Sequence, residues 1–129
     1  MAKTAVHTEE GPRPGGAYSQ AMVLGTLVFT SGITPVDPAT GKVVVGDVTV
    51  QTERVLKNLD VILQAAGSGL QHALKATVHL QDLRRDFAAF NETYARIMPD
   101  PKPVRTTVGS ELRGVLVEID LVAEIPSGA

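Results

Sequence analysis

The sequence predicts one α+β domain with its elements in the order ββ-α-β-α-ββ, because three kinds of pattern follow one another along the chain. Apolar residues recur at three- and four-residue spacing over 47–66 and again over 83–97, as in helices with one buried stripe. Over 74–81 they alternate with polar residues, the period of a strand covered on one face. Paired runs rich in β-branched residues stand at both ends and predict the remaining strands. A chain of 129 residues has room for one core and no separate cofactor domain. The expected organisation is a single domain over 1–129, with 1–15 a loosely ordered arm.

Taken in order, the arm ends in Gly11-Pro12-Arg13-Pro14-Gly15-Gly16, which cannot sustain a helix or a strand interior. From Ala17 to Ser31 two apolar runs flank Gly25-Thr26, the pattern of a hairpin. Ile33 to Asp47 carries Pro35, Asp37-Pro38 and Thr40-Gly41 and is expected to be an ordered loop. The first helix has Val48, Val55, Leu56, Leu59, Ile62, Leu63 and Ala66 on its stripe; Asp47 or Thr49 suits its start and Gly67 its end. In the next strand Leu74, Ala76, Val78 and Leu80 face one way, and Lys75, Thr77, His79 and Gln81 the other. Leu83, Phe87, Phe90, Tyr94 and Ile97 form the second stripe, which Pro99 terminates. Val104–Val108 and Val115–Ala123 read as closing strands. Two single-striped helices cover one sheet face, so the other, bearing Leu116 and Val122 beside Glu118 and Asp120, calls for a further cover such as another subunit.

Composition excludes several chemistries. There is no cysteine, hence no disulfide, thiolate nucleophile or cysteine-bearing metal site. A net charge of −2 offers no general attraction for nucleic acid or anionic lipid. No apolar run approaches membrane-spanning length, and the expected setting is soluble and cytoplasmic. His7, His72 and His79 lack the spacing of a metal site. Gly67-Ser68-Gly69 follows a helix instead of opening one, and no serine sits in a Gly-x-Ser-x-Gly elbow.

What remains is a set of polar residues beside structured elements: Tyr18, Ser31-Gly32, Asn91, Arg105, Thr107 and Glu118. Each has an ordinary structural explanation at a rim, on a helix edge or on a solvated strand. Arg105 stands out, because a guanidinium on a strand directly after a proline-rich turn suits two-pronged capture of a small carboxylate.

These residues lie within motifs that resemble the RidA/YjgF family. They are Gly16-Ala17-Tyr18-Ser19-Gln20, Leu27-Val28-Phe29-Thr30-Ser31-Gly32, Asp37-Pro38-Ala39-Thr40-Gly41 and Gln64-Ala65-Ala66-Gly67. The likeness continues through Ala76-Thr77-Val78, Phe87 to Tyr94, Lys102 to Val108 and Leu116 to Asp120, and so spans most of the chain. It implies a chorismate-mutase-like fold and a homotrimer with clefts between subunits. The activity it implies is cofactor-free hydrolysis of reactive 2-imino acids to 2-keto acids and ammonia. Arg105 would then bind the substrate carboxylate with Thr107 beside it, Glu118 would position or activate water, and Tyr18, Ser31, Gly32 and Asn91 would line the cleft. Ile33 stands where the family often has glutamine, Ala17 replaces a frequent proline, Asp120 a frequent glutamate, and the 109–114 turn is short. Ile33 is therefore expected to give the substrate an apolar wall and a preference for medium apolar side chains. The rival readings are a ligand-sensing or chaperone-like trimer without turnover, a ribonuclease, and a deaminase specific to another carboxylate.

Overall fold

The computed structural model describes residues 1–127, with strands β1 (Thr4–Val6), β2 (Ala21–Leu24), β3 (Leu27–Thr30), β4 (Val36–Asp37), β5 (Lys42–Val43), β6 (Ala73–Leu80), β7 (Val104–Gly109) and β8 (Val117–Glu124), and helices α1 (Val48–Ala65) and α2 (Leu83–Ile97). The Asp47 side chain accepts the Val50 N–H at 3.1 Å and starts α1. Gly67, at φ +86°, ends it in a conformation that disfavours a side chain. Asp82 accepts the Arg85 N–H to start α2. At the other end the Lys102 ammonium donates to the carbonyls of Ala95 and Met98, a cation placed against the negative pole of the helix.

The main sheet has the order β1-β2-β3-β8-β6-β7. Its pairs are antiparallel except β6 with β7, which α2 links as a crossover. Both helices lie on one face. Leu56, Leu59, Ile62 and Leu63 of α1 and Phe90 of α2 meet Val78, Leu80, Ile119 and Leu121 of the sheet, all essentially inaccessible. The sheet is thus mixed and the domain α+β, as the periodicities predict.

Four details differ from the sequence reading. The arm is docked: Thr4–Val6 pairs with β2, and buried Gln20 accepts the Thr8 N–H at 2.7 Å while donating to the carbonyls of Thr8 and Pro12 at 3.0 and 2.9 Å. A buried amide satisfied by the arm's own backbone outweighs the arm's polar composition. The loop after β3 folds into a small hairpin, β4 with β5. A register shift between Ala73 and Lys75 turns Ala73 inward and leaves Leu74 exposed, because an irregularity of one residue reverses the alternation before it. Leu116 packs against the core, ahead of the strand proper.

The second face of the sheet is open. Phe29 pairs with Val122, Lys75 with Val104, and His79 with both Glu118 and Val108. It mixes titratable groups with exposed apolar side chains, including Val104 at 68 % exposure.

Candidate functional site

The polar residues singled out by sequence form two clusters on opposite faces of the sheet. In the first, Arg105 and Thr107 of β7 lie opposite Ala76 and Val78 of β6, whose side chains are buried beneath the helices. Period two therefore sends Arg105 toward the helix side. Its Cζ lies 4.8 Å from the Tyr94 ring centroid, 5.4 Å from Phe90 and 5.9 Å from Phe87. Among the described residues no carboxylate pairs with Arg105. A cavity of about 340 Å³ opens beside it, lined by Asn91, Tyr94, Ala95, Lys102, Pro103 and Arg105. The hydroxyls of Tyr94 and Thr107 are buried without a hydrogen-bond partner among the described residues. Burial pushes the Tyr94 phenol above its ordinary pKa, and the Arg105 charge partly opposes that.

The second cluster gathers around Glu118. This residue lies opposite His79 on β6, between the inward-facing Val117 and Ile119, so its carboxylate stands on the open face. Gly32 permits the carboxylate's approach, since a Cβ there would come within 2.9 Å of Glu118 Cδ. A cleft of about 250 Å³ is lined by Tyr18, Ser31, Gly32 and Glu118. The Tyr18 hydroxyl accepts the Gly15 N–H at 2.9 Å, which ties the cleft's rim to the arm. Ser31 donates both its N–H and its hydroxyl to the Gln20 carbonyl, and Ile33 donates its N–H to Ile119. Among the described residues the Gly32 N–H between them has no backbone partner of this kind.

A larger groove of about 580 Å³ between the arm and the β4–β5 hairpin shares Tyr18 with this cleft. Its charged residues, Glu9 and Arg13, lie 3.6 Å apart on the surface, so it contains no buried charge poised for chemistry. Among the described residues no three metal-ligating side chains converge. Asp120, on the open face, has its carboxyl raised above the ordinary range, chiefly by burial, against the pull of His79 and Lys75.

One expected site residue is displaced. Ile33 is 4 % exposed and packs in the hydrophobic core, bridged to Ile119 of β8. The apolar wall expected from it is absent, because the pairing with β8 turns its side chain inward. Two contributions escaped the sequence reading: Gln20 as anchor of the arm and Phe87 as an exposed ring beside Arg105. In the sequence Phe87 stands as one step of a helical stripe and the first residue of a family-like motif, with nothing to connect it to Arg105.

The family model described as Endoribonuclease L-PSP matches residues 8–125. A RutC family protein of Pyrococcus abyssi is 44 % identical over 125 residues, covering 95 % of this chain and 98 % of its own. The chain belongs to the RidA/YjgF family. Another RidA/YjgF relative, Reactive Intermediate Deaminase A of Arabidopsis thaliana chloroplasts, is 42 % identical over 125 residues, 95 % of this chain and 66 % of its own. The crystal structure of E. coli TdcF with bound serine superposes with a TM-score of 0.87 at 35 % identity, over 94 % of this chain and 98 % of that one. The α+β fold with two helices on a mixed sheet is therefore that of RidA/YjgF structures.

Proposed function

We propose that the chain is a hydrolytic deaminase that converts reactive 2-imino acids to 2-keto acids and ammonia. The observation that carries this reading is Arg105: a guanidinium held among aromatic rings, beside a cavity of about 340 Å³, with no carboxylate partner among the described residues. Such a group suits the carboxylate of a small ligand. Serine, the ligand of TdcF, carries that group, and the Arabidopsis relative is named for deamination.

In this reading Arg105 binds the carboxylate, with Asn91 and the Thr107 hydroxyl completing the polar surround. The Gly32 N–H, flanked by N–H groups already committed to protein carbonyls, donates to the reacting end of the substrate. Glu118 holds the attacking water, takes its proton, and returns a proton to the departing ammonia. Tyr18 closes the cleft. A protonated C=N carbon is already electrophilic, so orientation and proton transfer supply the needed help.

Arg105 and Glu118 occupy opposite faces of one chain, so a complete site needs a second copy. A homotrimer of chorismate-mutase-like type, with the Arg105 half of each site meeting the Glu118 half of its neighbour, would also cover the exposed Phe29, Val104 and Val108. The family description refers to an endoribonuclease. A net charge of −2 and an aromatic content of 4 % speak against nucleic acid as the ligand here.

The deciding experiment generates 2-imino acids in situ from amino acids with an amino-acid oxidase and follows keto-acid and ammonia release. Acceleration over the uncatalysed rate is expected. Binding of the keto acid with no acceleration would leave a ligand sensor and overturn the deaminase reading.

A further inference from the structure

Helix α2 places Phe87, Phe90, Asn91 and Tyr94 at i, i+3, i+4 and i+7, so the four share one helical face. Phe90 and Tyr94 are core residues, 0 % and 3 % exposed, whereas Phe87 is 40 % exposed. Core packing accounts for two of these rings and leaves the third half in solvent. Phe87 nevertheless lies under the same guanidinium, 5.9 Å from Arg105 Cζ to its centroid.

Arg105 projects from an edge strand with no ionic tether among the described residues. A long side chain so placed would spread over many rotamers, and a substrate carboxylate would have to select one. Three ring faces narrow that choice, because a weakly hydrated, planar cation is attracted to aromatic faces. Ring contact uses the faces of the guanidinium and carboxylate binding uses its N–H edges, so the two are compatible.

We propose that Phe87 is a positioning residue whose ring completes an aromatic cradle that holds Arg105 ready for a substrate carboxylate. The proposal rests on Arg105 as the carboxylate anchor. It accounts for an apolar ring kept at the surface, and it makes carboxylate affinity depend on a side chain outside the cavity's own lining.

The test compares Phe87→Leu, which keeps apolar bulk without a π face, with Phe87→Tyr, which keeps the face. Binding of 2-ketobutyrate, followed by calorimetry, is expected to weaken about three- to tenfold in the Leu variant and to stay within about twofold in the Tyr variant. The loss should appear in KM and not in kcat, because Phe87 touches the anchor and not the reacting atoms. A second readout needs neither turnover nor ligand: the Arg105 Nε–H resonance should be ring-current shifted in the wild type and the Tyr variant, and move toward its ordinary position in the Leu variant. Identical resonances in wild type and Leu variant overturn the cradle. So does a Leu variant whose affinity falls only because its oligomeric state changes, since the ring would then be a subunit contact. A shifted resonance in a wild type that neither binds 2-ketobutyrate nor hydrolyses imines would keep the cradle and sink the deaminase reading.

Discussion

Arg105 and Gly32 show how much a single position can decide here. Arg105→Lys keeps a positive charge but replaces a planar fork by a point charge, which can neither grip a carboxylate with two parallel bonds nor spread over the rings beneath it. A charge-assisted bond is worth about 1.5–3 kcal/mol, so kcat/KM for imino acids should fall by roughly one to two decades while thermal stability holds; steady-state kinetics beside a melting curve checks both. Gly32→Ala acts on the other half of the site. Its Cβ would sit 2.9 Å from Glu118 Cδ, so the carboxylate must move, and general-base catalysis depends on hydrogen-bond reach. Turnover is expected to drop about tenfold or more, approaching the loss in Glu118→Gln. Unaltered turnover in the Ala variant would show that the placement of Glu118 beside Gly32 does not matter.

Among the elements, the arm and the open face of β6 and β8 carry the next expectations. The arm is held by β1 pairing and by three hydrogen bonds through Gln20. Gln20→Ala leaves the buried Pro12 carbonyl and the part-buried backbone groups of Thr8 without those partners, at a cost of about 1–3 kcal/mol. Hydrogen exchange over residues 4–12 should accelerate, and through the Gly15–Tyr18 contact the Tyr18 rim should loosen with it. Asp120 behaves differently. Burial raises its carboxyl in the folded chain, so the folded state holds that proton more tightly than the unfolded state does. Its favourable contribution is present at low pH, below the unfolded value of 3.8, and is lost as pH rises through the raised folded value. Asp120→Asn removes the charge that burial opposes, so its melting temperature should exceed the wild type's at neutral pH and converge with it in acid; equal gains at both would mean that charge is not the cause.

For the whole molecule, the division of the site between two faces makes a prediction that neither half makes alone. Chains carrying Arg105→Lys and chains carrying Glu118→Gln should each be impaired as pure assemblies. Unfolded together in equal amounts and refolded, they should regain activity in about a quarter of the sites if, as proposed, an intact site draws Arg105 from one chain and Glu118 from its neighbour. Mixing without recovery, with mixed assemblies verified by mass spectrometry, would mean the two residues do not share a site. The open face bearing Val104, Val108 and Phe29 presents apolar surface whose burial in the proposed assembly would add stability.

Local structure was legible in the residue pattern. Period 3.6 and period 2, an Asp and a Gly at the ends of α1, and Pro99 after α2 record preferences that act within a few residues, so both helices and the strands around them could be read directly. The motifs of the RidA/YjgF family likewise pointed to Arg105, Glu118, Tyr18, Ser31, Gly32, Asn91 and Thr107 as one set. How that set is distributed over the two faces of the sheet follows from long-range pairing. Ile33 went to the core because a bridge to Ile119 set its direction, and Leu74 went outward because of a register shift. The docked arm depended on an amide eight residues beyond Pro12, and the surface ring of Phe87 on a guanidinium from another element. In each case the deciding partner lies outside the local window, where pairing register and burial override what a residue's neighbours in sequence prefer.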